Sequence, residues 1–352
     1  MRPELFDQFR PVCPGSLMRD GIEAPLWLAT DIRTTDGHLD QAVLHGGDGD
    51  TVQEYPVLNG APLLIGDIRS YLSDHQSHLL LRDDLSPDIE SIIGDGIGSG
   101  SLFDMTRQHL STYAWDHYAG LDPSEITEKP RPGAALRCLE AGLTMVGSLP
   151  SGPILDVGCS VGRTTFRLAE KYKRPALGVD LNFSMIRMAQ SILRRNAVDY
   201  PRRRLGLVYD RRQFDVSLGG RDFVDFWVAD ATALPFRSAS FALTVALNST
   251  DSVSSPADLI AGLARITKPD GWLVLATPYD WSSAVTRTES WIGDHSQRAE
   301  DKGAAEPRLR ALLREAGWNI IEEIPHQPWA TRLHDRSSVD YSVHLIVARR
   351  QA

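Results

Sequence analysis

From about residue 134 to the C-terminus, short apolar runs alternate with amphipathic stretches of ten or so residues. The runs at 154–157, 176–179, 225–228, 241–247 and 272–276 read as strands, since each is short, apolar and bounded by turn residues. The stretches at 134–147, 163–172, 184–195, 256–267 and 306–316 read as helices. This alternation predicts an α/β fold, a doubly wound seven-stranded sheet of mostly parallel strands. Two last apolar runs, at about 319–323 and 341–348, have no helix between them. They predict an antiparallel pair at the sheet edge, joined by a loop.

Upstream the pattern differs. Residues 1–70 read as short strands and turns, with a glycine-rich turn at 46–50 and a hairpin turn at Asn59-Gly60. Residues 70–120 are polar and mixed, with a loop of small residues at 94–101 and then a helix at about 104–118. Pro130, Pro132 and Gly133 mark a boundary. The expected units are therefore a β-rich segment at 1–70, a helical cap and linker at 71–133, and the doubly wound domain at 134–352.

Composition narrows the classes. Against 46 Asp and Glu stand 37 Lys and Arg, a net charge of −9 on 352 residues, and 42% of the chain is hydrophobic. That fits a globular chain with a sizeable core and argues against a bulk nucleic-acid binder. No apolar run reaches the ~18–20 residues that span a bilayer, and the first residues hold no apolar signal core. A cytoplasmic protein with no membrane partner is expected. Three cysteines, Cys13, Cys138 and Cys159, are too few for a disulfide framework.

The candidate chemistry starts at the first strand of the domain, which runs into Asp156-Val-Gly-Cys-Ser-Val-Gly162, with a helix opening at Arg163. Gly158 and Gly162 let backbone approach a ligand without a Cβ in the way. A dinucleotide turn would need glycines at 158, 160 and 163, but Ser160 and Arg163 stand there. A phosphate loop would need a following Gly-Lys-Ser/Thr, which is missing. Asp180 closes the second strand, and Asp230-Ala231 follows the third. An ionised carboxylate offers two acceptor oxygens, enough for both hydroxyls of a ribose. Read singly, Asp180 is a helix-capping carboxylate and Asp230 a turn carboxylate. As an ordered set at three successive strand ends they point to one nucleoside.

The pattern Asp156-x-Gly158-x-x-x-Gly162 is the turn of S-adenosylmethionine (SAM) methyltransferases, and residues 152–280 resemble the class I, Rossmann-like members of that family. The glycine turn, Asp180, Asp230-Ala231 and Lys268-Pro-Asp-Gly-Trp272 carry the resemblance. It implies SAM as cofactor and S-adenosylhomocysteine as product. Asp156 would orient the loop or reach the cofactor's ammonium, and Gly158, Ser160 and Gly162 would line the methionine portion. Asp180 and Leu181 would hold the ribose, and Met185 would pack on the adenine. Asp230 would accept from the adenine amino group with Ala231 beside the ring, and Asn248 would complete the set.

Two narrower resemblances are present. The glycine turn, Thr277-Pro278-Tyr279-Asp280-Trp281 and Thr286…Trp291-Ile292-Gly293 resemble the methyltransferase domain of ovothiol-type mercaptohistidine biosynthesis. The chain departs from it in lacking an iron-dependent sulfoxide-synthase module and in an insertion at 197–225. At the N-terminus, Arg10-Pro-Val-Cys13 and the stretch from Tyr55 resemble the zinc-ribbon module that activates some RNA and protein methyltransferases. Only Cys13 remains of its cysteine positions, and a structural zinc wants four N or S ligands, so a degenerate version with no metal is expected.

The acceptor is expected at the carboxyl ends of the fourth and fifth strands, near Asn248–Asp251 and Tyr279–Trp281. The loop between the last two strands, carrying His326, Trp329, Arg332, His334 and Arg336, should border the same mouth. Tyr279, Trp281, Trp329 and Arg332 are the candidate substrate contacts, able to hold a planar or anionic molecule. His334 is the first candidate base and Asp251 the second. Each has a plainer reading, a loop histidine or wall packing. Tyr113, Trp115 and Tyr118 sit on a helix able to lid the cofactor. Cys159 has no base beside it in sequence and reads as a packing residue. The arginines between 194 and 221 read as a solvated insertion with a small hairpin rather than an RNA site, since aromatics are not interleaved. The function expected is methyl transfer from SAM to a small-molecule N, S or O acceptor, specifically an imidazole- or thiol-containing amino-acid derivative. An RNA or protein methyltransferase and an inactive SAM-binding regulator are the alternatives, and a homodimer stays open.

Overall fold

The computed structural model describes residues 1–35, 37–47, 52–80, 85–125, 130–293, 297–298 and 302–351. Its helices, in chain order, are α1 (Pro3–Phe9), α2 (Pro14–Asp20), α3 (Ile68–Asp74), α4 (Gln76–Leu80), α5 (Pro87–Ile97), α6 (Leu102–Tyr118), α7 (Ala134–Leu143), α8 (Arg163–Tyr172), α9 (Phe183–Arg195), α10 (Pro256–Ile266) and α11 (Ala305–Glu315). The strands are β1 (Leu26–Thr35), β2 (His38–Gly46), β3 (Gln53–Leu58), β4 (Ala61–Leu64), β5 (Ile154–Val157), β6 (Ala176–Asp180), β7 (Ala197–Leu205), β8 (Val208–Asp215), β9 (Val224–Ala229), β10 (Phe241–Leu247), β11 (Thr267–Thr277), β12 (Trp318–His334) and β13 (Ser337–Arg350).

All strands but β7 and β8 join one sheet, in the order β1-β2-β3-β4-β9-β6-β5-β10-β11-β13-β12. From β9 to β11 the neighbours are parallel, and β13 and β12 close that edge antiparallel. This is the doubly wound seven-stranded unit expected from the alternation. Its central strands are buried along their length, as strands covered by helices on both faces must be. The strand order reverses between β5 and β10, so their carboxyl ends leave a crevice.

The N-terminal segment is built into the same sheet. β4 lies parallel to β9, and β3, β2 and β1 follow antiparallel. Buried Gln190 of α9 ties the two parts together. Its amide donates to Gly60 O at 2.9 Å and to Asp225 Oδ1 at 2.8 Å. Asn59 (φ 50°) and Gly60 (φ 77°) make the tight turn read from the sequence, while residues 48–50 of the glycine-rich turn lie outside the described residues. Cys13 is buried, with its sulfur 3.4 Å from the Tyr55 hydroxyl.

Three expectations change. The small-residue loop at 94–101 is helical as far as Ile97, because Ser86 caps α5, Pro87 opens it and two acids fill its first turn. The insertion is a longer hairpin than expected, β7–β8, lying against α6. The loop between the last two strands is not a loop. β12 and β13 stay paired to a tight turn between His334 and Ser337, because α6 and β7 pack against the distal half of β12. No helix among the described residues is long and apolar enough to cross a membrane.

Candidate functional site

Four strand ends meet at the crevice. After β5, Gly158 (φ 73°), Ser160 (φ 51°) and Gly162 (φ 91°) all take left-handed backbone. A Cβ on Gly158 would lie 2.1 Å from Ser249 Oγ, and one on Gly162 would lie 2.5 Å from the Phe226 ring. Close packing and left-handed backbone therefore call for glycine at both places. Ser160 pays for its conformation with a hydrogen bond, its N–H donating to Asp180 Oδ2 at 3.0 Å. Asp156 is 3% exposed, and Oδ2 accepts from the hydroxyls of Thr164 and Thr165, both at 2.7 Å. It thus pins the start of α8. Burial pushes its carboxyl up to about 6, against the pull of those two hydroxyls.

After β6, Asp180 also accepts from Asn182 N–H through Oδ1 at 2.9 Å. Each oxygen takes one backbone N–H and keeps a second acceptor direction. Burial raises the Asp180 pKa, and these backbone bonds oppose the rise. Asn182 caps α9 through Ser184 N–H at 2.9 Å, and Tyr71 donates to Leu181 O at 2.7 Å. Met185 sits one turn into α9, its sulfur 3.7 Å from Ser160 Oγ. After β9, Asp230 Oδ1 accepts from both the N–H (2.8 Å) and the hydroxyl (2.7 Å) of Thr232, a self-closed turn that leaves Oδ2 unspent.

After β10, Asn248 is left-handed (φ 50°). Three buried polar atoms here have no partner: Asn248 Oδ1, Thr250 Oγ1 and Asp251 Oδ1. Buried groups of this kind are normally paired, so their concentration at one strand end marks a place for a ligand. Asp251 is 3% exposed and its Oδ2 accepts from Asp280 N–H at 3.1 Å. Burial, and less strongly the charge of Asp280, pushes its carboxyl up to about 7.

α6 lies over the glycine turn. Tyr118 donates to Val161 O at 2.8 Å, and Arg163 N–H donates to His117 Nδ1 at 3.2 Å. Burial drops His117 to about 3, so it stays a neutral acceptor at the start of α8. Further up α6, the Tyr113 phenol is raised by burial and, less strongly, by the carboxylates of Asp180, Asp251 and Asp116. Burial raises the Cys159 thiol well above its ordinary range, which keeps it inert beside the turn.

After β11, Tyr279 is left-handed (φ 57°) and its hydroxyl meets His344 Nδ1 at 2.6 Å. His344 Nε2 lies 2.9 Å from Glu323 Oε2, and Arg310 grips that carboxylate at 2.8–3.0 Å. Trp281 stacks on Trp291 with ring centroids 6.2 Å apart. Burial, and less strongly the Asp280 carboxylate, pushes the Tyr341 phenol up to about 12. Trp329 pairs with Tyr341 across the β12–β13 ladder and shares its face.

His334 and Arg332 are not brought to this mouth, contrary to expectation. His334 lies at the hairpin turn, where its Nδ1 accepts from Arg336 N–H. At about 3.3 Å per residue, the five steps from Trp329 put it roughly 16 Å further along the strand. Arg332 donates through Nη2 to Arg203 O and to Asp335, which ties it to the β7–β8 hairpin. Both follow from the strand pairing that replaces the expected loop.

Residues 155–275 match the model described as a methyltransferase domain. This segment is a SAM-dependent methyltransferase domain. Relatives agree in kind. O-methyltransferase cnsE of Penicillium expansum is 27% identical over 229 residues, 64% of this chain and 70% of that protein. 24-Methylenesterol C-methyltransferase 2 of Oryza sativa subsp. japonica is 24% identical over 200 residues, 52% of this chain and 47% of that protein. Among solved structures, the [4+2]-cyclase SpnF shares 18% identity at a TM-score of 0.42, covering 65% of this chain and 85% of its own. A SAM-dependent methyltransferase of Methanosarcina mazei shares 22% at 0.37, covering 56% and 92%.

The cofactor of the methyltransferase domain is SAM, and the residues present fit it. The left-handed turn of residues 158–162, the spare acceptor directions of Asp180 and the unpaired acceptor of Asn248 lie together at the crevice. The sequence reading missed His344, Glu323 and Tyr341. Their signal was present but indirect, since His344 stands opposite Thr277, the last residue of β11, once the strands are registered. Changing His344 to Ala would strand the Tyr279 hydroxyl and leave the Glu323 carboxylate to Arg310 alone. Urea denaturation is expected to show a loss of ~1–3 kcal/mol.

Proposed function

We propose that this chain transfers a methyl group from SAM to an N, S or O atom of a small molecule, with Asp251 receiving the acceptor's proton. When bound, SAM supplies an electrophilic methyl on a sulfonium. Asp180 would accept the ribose hydroxyls, and Asp230 the adenine amino group, with Ala231 and Met185 beside the ring. Asp156, Gly158, Ser160 and Gly162 would shape the methionine end, and Asn248 would accept from its ammonium. Tyr279, Trp281 and Trp329 would wall the acceptor.

The observation that carries the reading is Asp251. It is buried beside the cofactor turn, has one unpaired oxygen, and titrates near neutrality. A base with its pKa near the working pH combines availability with proton affinity. No acid is needed, because a sulfonium leaves as a neutral thioether, and alignment supplies much of the rate. The relatives named above methylate oxygen and carbon by their names, which supports a small-molecule acceptor. The narrower reading, an imidazole- or thiol-bearing amino-acid derivative, rests on the motif from Thr277 to Gly293.

The experiment is to incubate the protein with methyl-labelled SAM and a metabolite extract, and separately with a total RNA pool. Label is expected in the small-molecule fraction. Label in RNA would overturn the proposal, and label in neither would favour a SAM-binding regulator.

A further inference from the structure

The methionine portion of SAM carries an α-carboxylate as well as an ammonium. The strand ends offer Asp180 after β6 and Asp230 after β9, and an ionised carboxylate only accepts. Neither can answer another carboxylate, so the donors have to come from elsewhere.

They stand where α6 meets the start of α8. Arg163 is the first residue of α8 and directly follows Gly162. It is half-buried, yet its guanidinium makes no hydrogen bond or ion pair with any described residue, and none of its three nitrogens is shut off from open surface. Arg167, one turn further along α8, is by contrast held by Glu140 and by Glu170, the latter at 3.0 Å.

His117 stands beside Arg163. Its Nδ1 accepts from the Arg163 N–H at 3.2 Å. The ring is neutral, since burial and, less strongly, the Arg163 guanidinium drop its pKa to about 3. A neutral imidazole that accepts at Nδ1 carries its proton on Nε2. That N–H has no partner among the described residues and also reaches open surface. Tyr118, next in the chain, holds Val161 O at 2.8 Å, so α6 is fixed to the glycine turn on both sides of this pair. Tyr113 lies one turn back from His117 on the same helix face, and the carboxylates of Asp180 and Asp251 add to the effect of burial on its phenol. This face of α6 therefore runs along the crevice, from the end of β6 to the glycine turn.

On the reading that SAM fills this crevice, we propose that Arg163 and His117 Nε2–H bind the α-carboxylate of its methionine portion. Arg163 supplies the charge and a fork of donors, and His117 a single donor held in place through Nδ1. The positive end of α8 lies at the same place and favours an anion.

The test is calorimetric titration of the full chain with S-adenosylhomocysteine and with 5′-methylthioadenosine, which keeps the nucleoside and the thioether but has no amino-acid end. Arg163→Gln and His117→Asn are each expected to weaken S-adenosylhomocysteine at least tenfold and to leave methylthioadenosine within about threefold. The asparagine keeps an acceptor for the Arg163 N–H, so the turn stays held while the Nε2 donor is withdrawn. Arg349→Gln, at an exposed pair with Asp270, should change neither ligand. S-adenosylhomocysteine affinity within about threefold of wild type in either variant would overturn the proposal. Equal weakening of both ligands would overturn it too, since that marks a distorted turn rather than a lost carboxylate contact. If the wild type binds neither ligand, the SAM reading itself falls, and the proposal with it. Should melting curves show that one variant does not fold, the other decides by the same criterion.

Discussion

Asp180→Ala is expected to weaken S-adenosylhomocysteine binding by roughly 100- to 1000-fold. Two contributions add. A hydrogen bond to a charged acceptor contributes about 1.5–3 kcal/mol, and two ribose hydroxyls would be lost together. Each 1.4 kcal/mol is about tenfold in affinity. The variant also releases Ser160 N–H, which holds the left-handed turn that shapes the cradle. Asp180→Asn should fall between, since its amide oxygen keeps one acceptor and loses the charge. Calorimetry measures both. A change below threefold in Asp180→Ala would remove this residue from the cofactor contact.

Asp251→Asn should leave S-adenosylhomocysteine affinity within a few fold and lower kcat by about 10²–10⁴, the usual contribution of a positioned base. The pH profile gives the sharper reading. With its carboxyl pushed up to about 7, Asp251 is a competent base only above that range. The wild-type kcat/KM should climb with pH through about 7 and then level, and the variant should lose that limb. Stability moves the opposite way. A carboxyl whose folded-state pKa lies above its unfolded value favours folding while protonated. That contribution fades as pH rises from the unfolded carboxyl's range through about 7. Wild-type protein should therefore lose stability against Asp251→Asn between about pH 5 and 8, as read by chemical denaturation. A matching profile in both proteins would contradict both statements.

The strand ends were legible because parallel strands advertise themselves. β5, β6, β9 and β10 are buried on both faces, so they appear as short apolar runs, and the residue after each run marks the crevice. Asp156, Asp180, Asp230 and Asn248 followed directly. The mouth was less legible. His334 and Arg332 looked like loop residues because the distal half of β12 is only partly buried, and a half-exposed strand carries no strong alternation. Its pairing depends on α6 and β7, distant in sequence. The same long-range packing hid the Tyr279–His344–Glu323 chain, which exists only when β13 is registered on β11 and β12. The arginine run reads from sequence as solvated, but its arginines pair with acids outside it, Asp122 and Asp335 among them. The N-terminal segment looked separate because β4, which pairs it to β9, is only four residues long, and the side chains that join it to the domain, such as Gln190 and Trp227, are distant in sequence.

Calorimetric titration of the full chain with S-adenosylhomocysteine, beside NAD⁺ and ATP, tests most directly whether these four strand ends build one SAM site. The account expects saturable binding of S-adenosylhomocysteine at one site per chain, reduced in each of Asp180→Ala, Asp230→Ala and Asn248→Ala, and no saturable binding of NAD⁺ or ATP. Absent binding of S-adenosylhomocysteine, or tight binding of either other nucleotide lost in the same three variants, would contradict it.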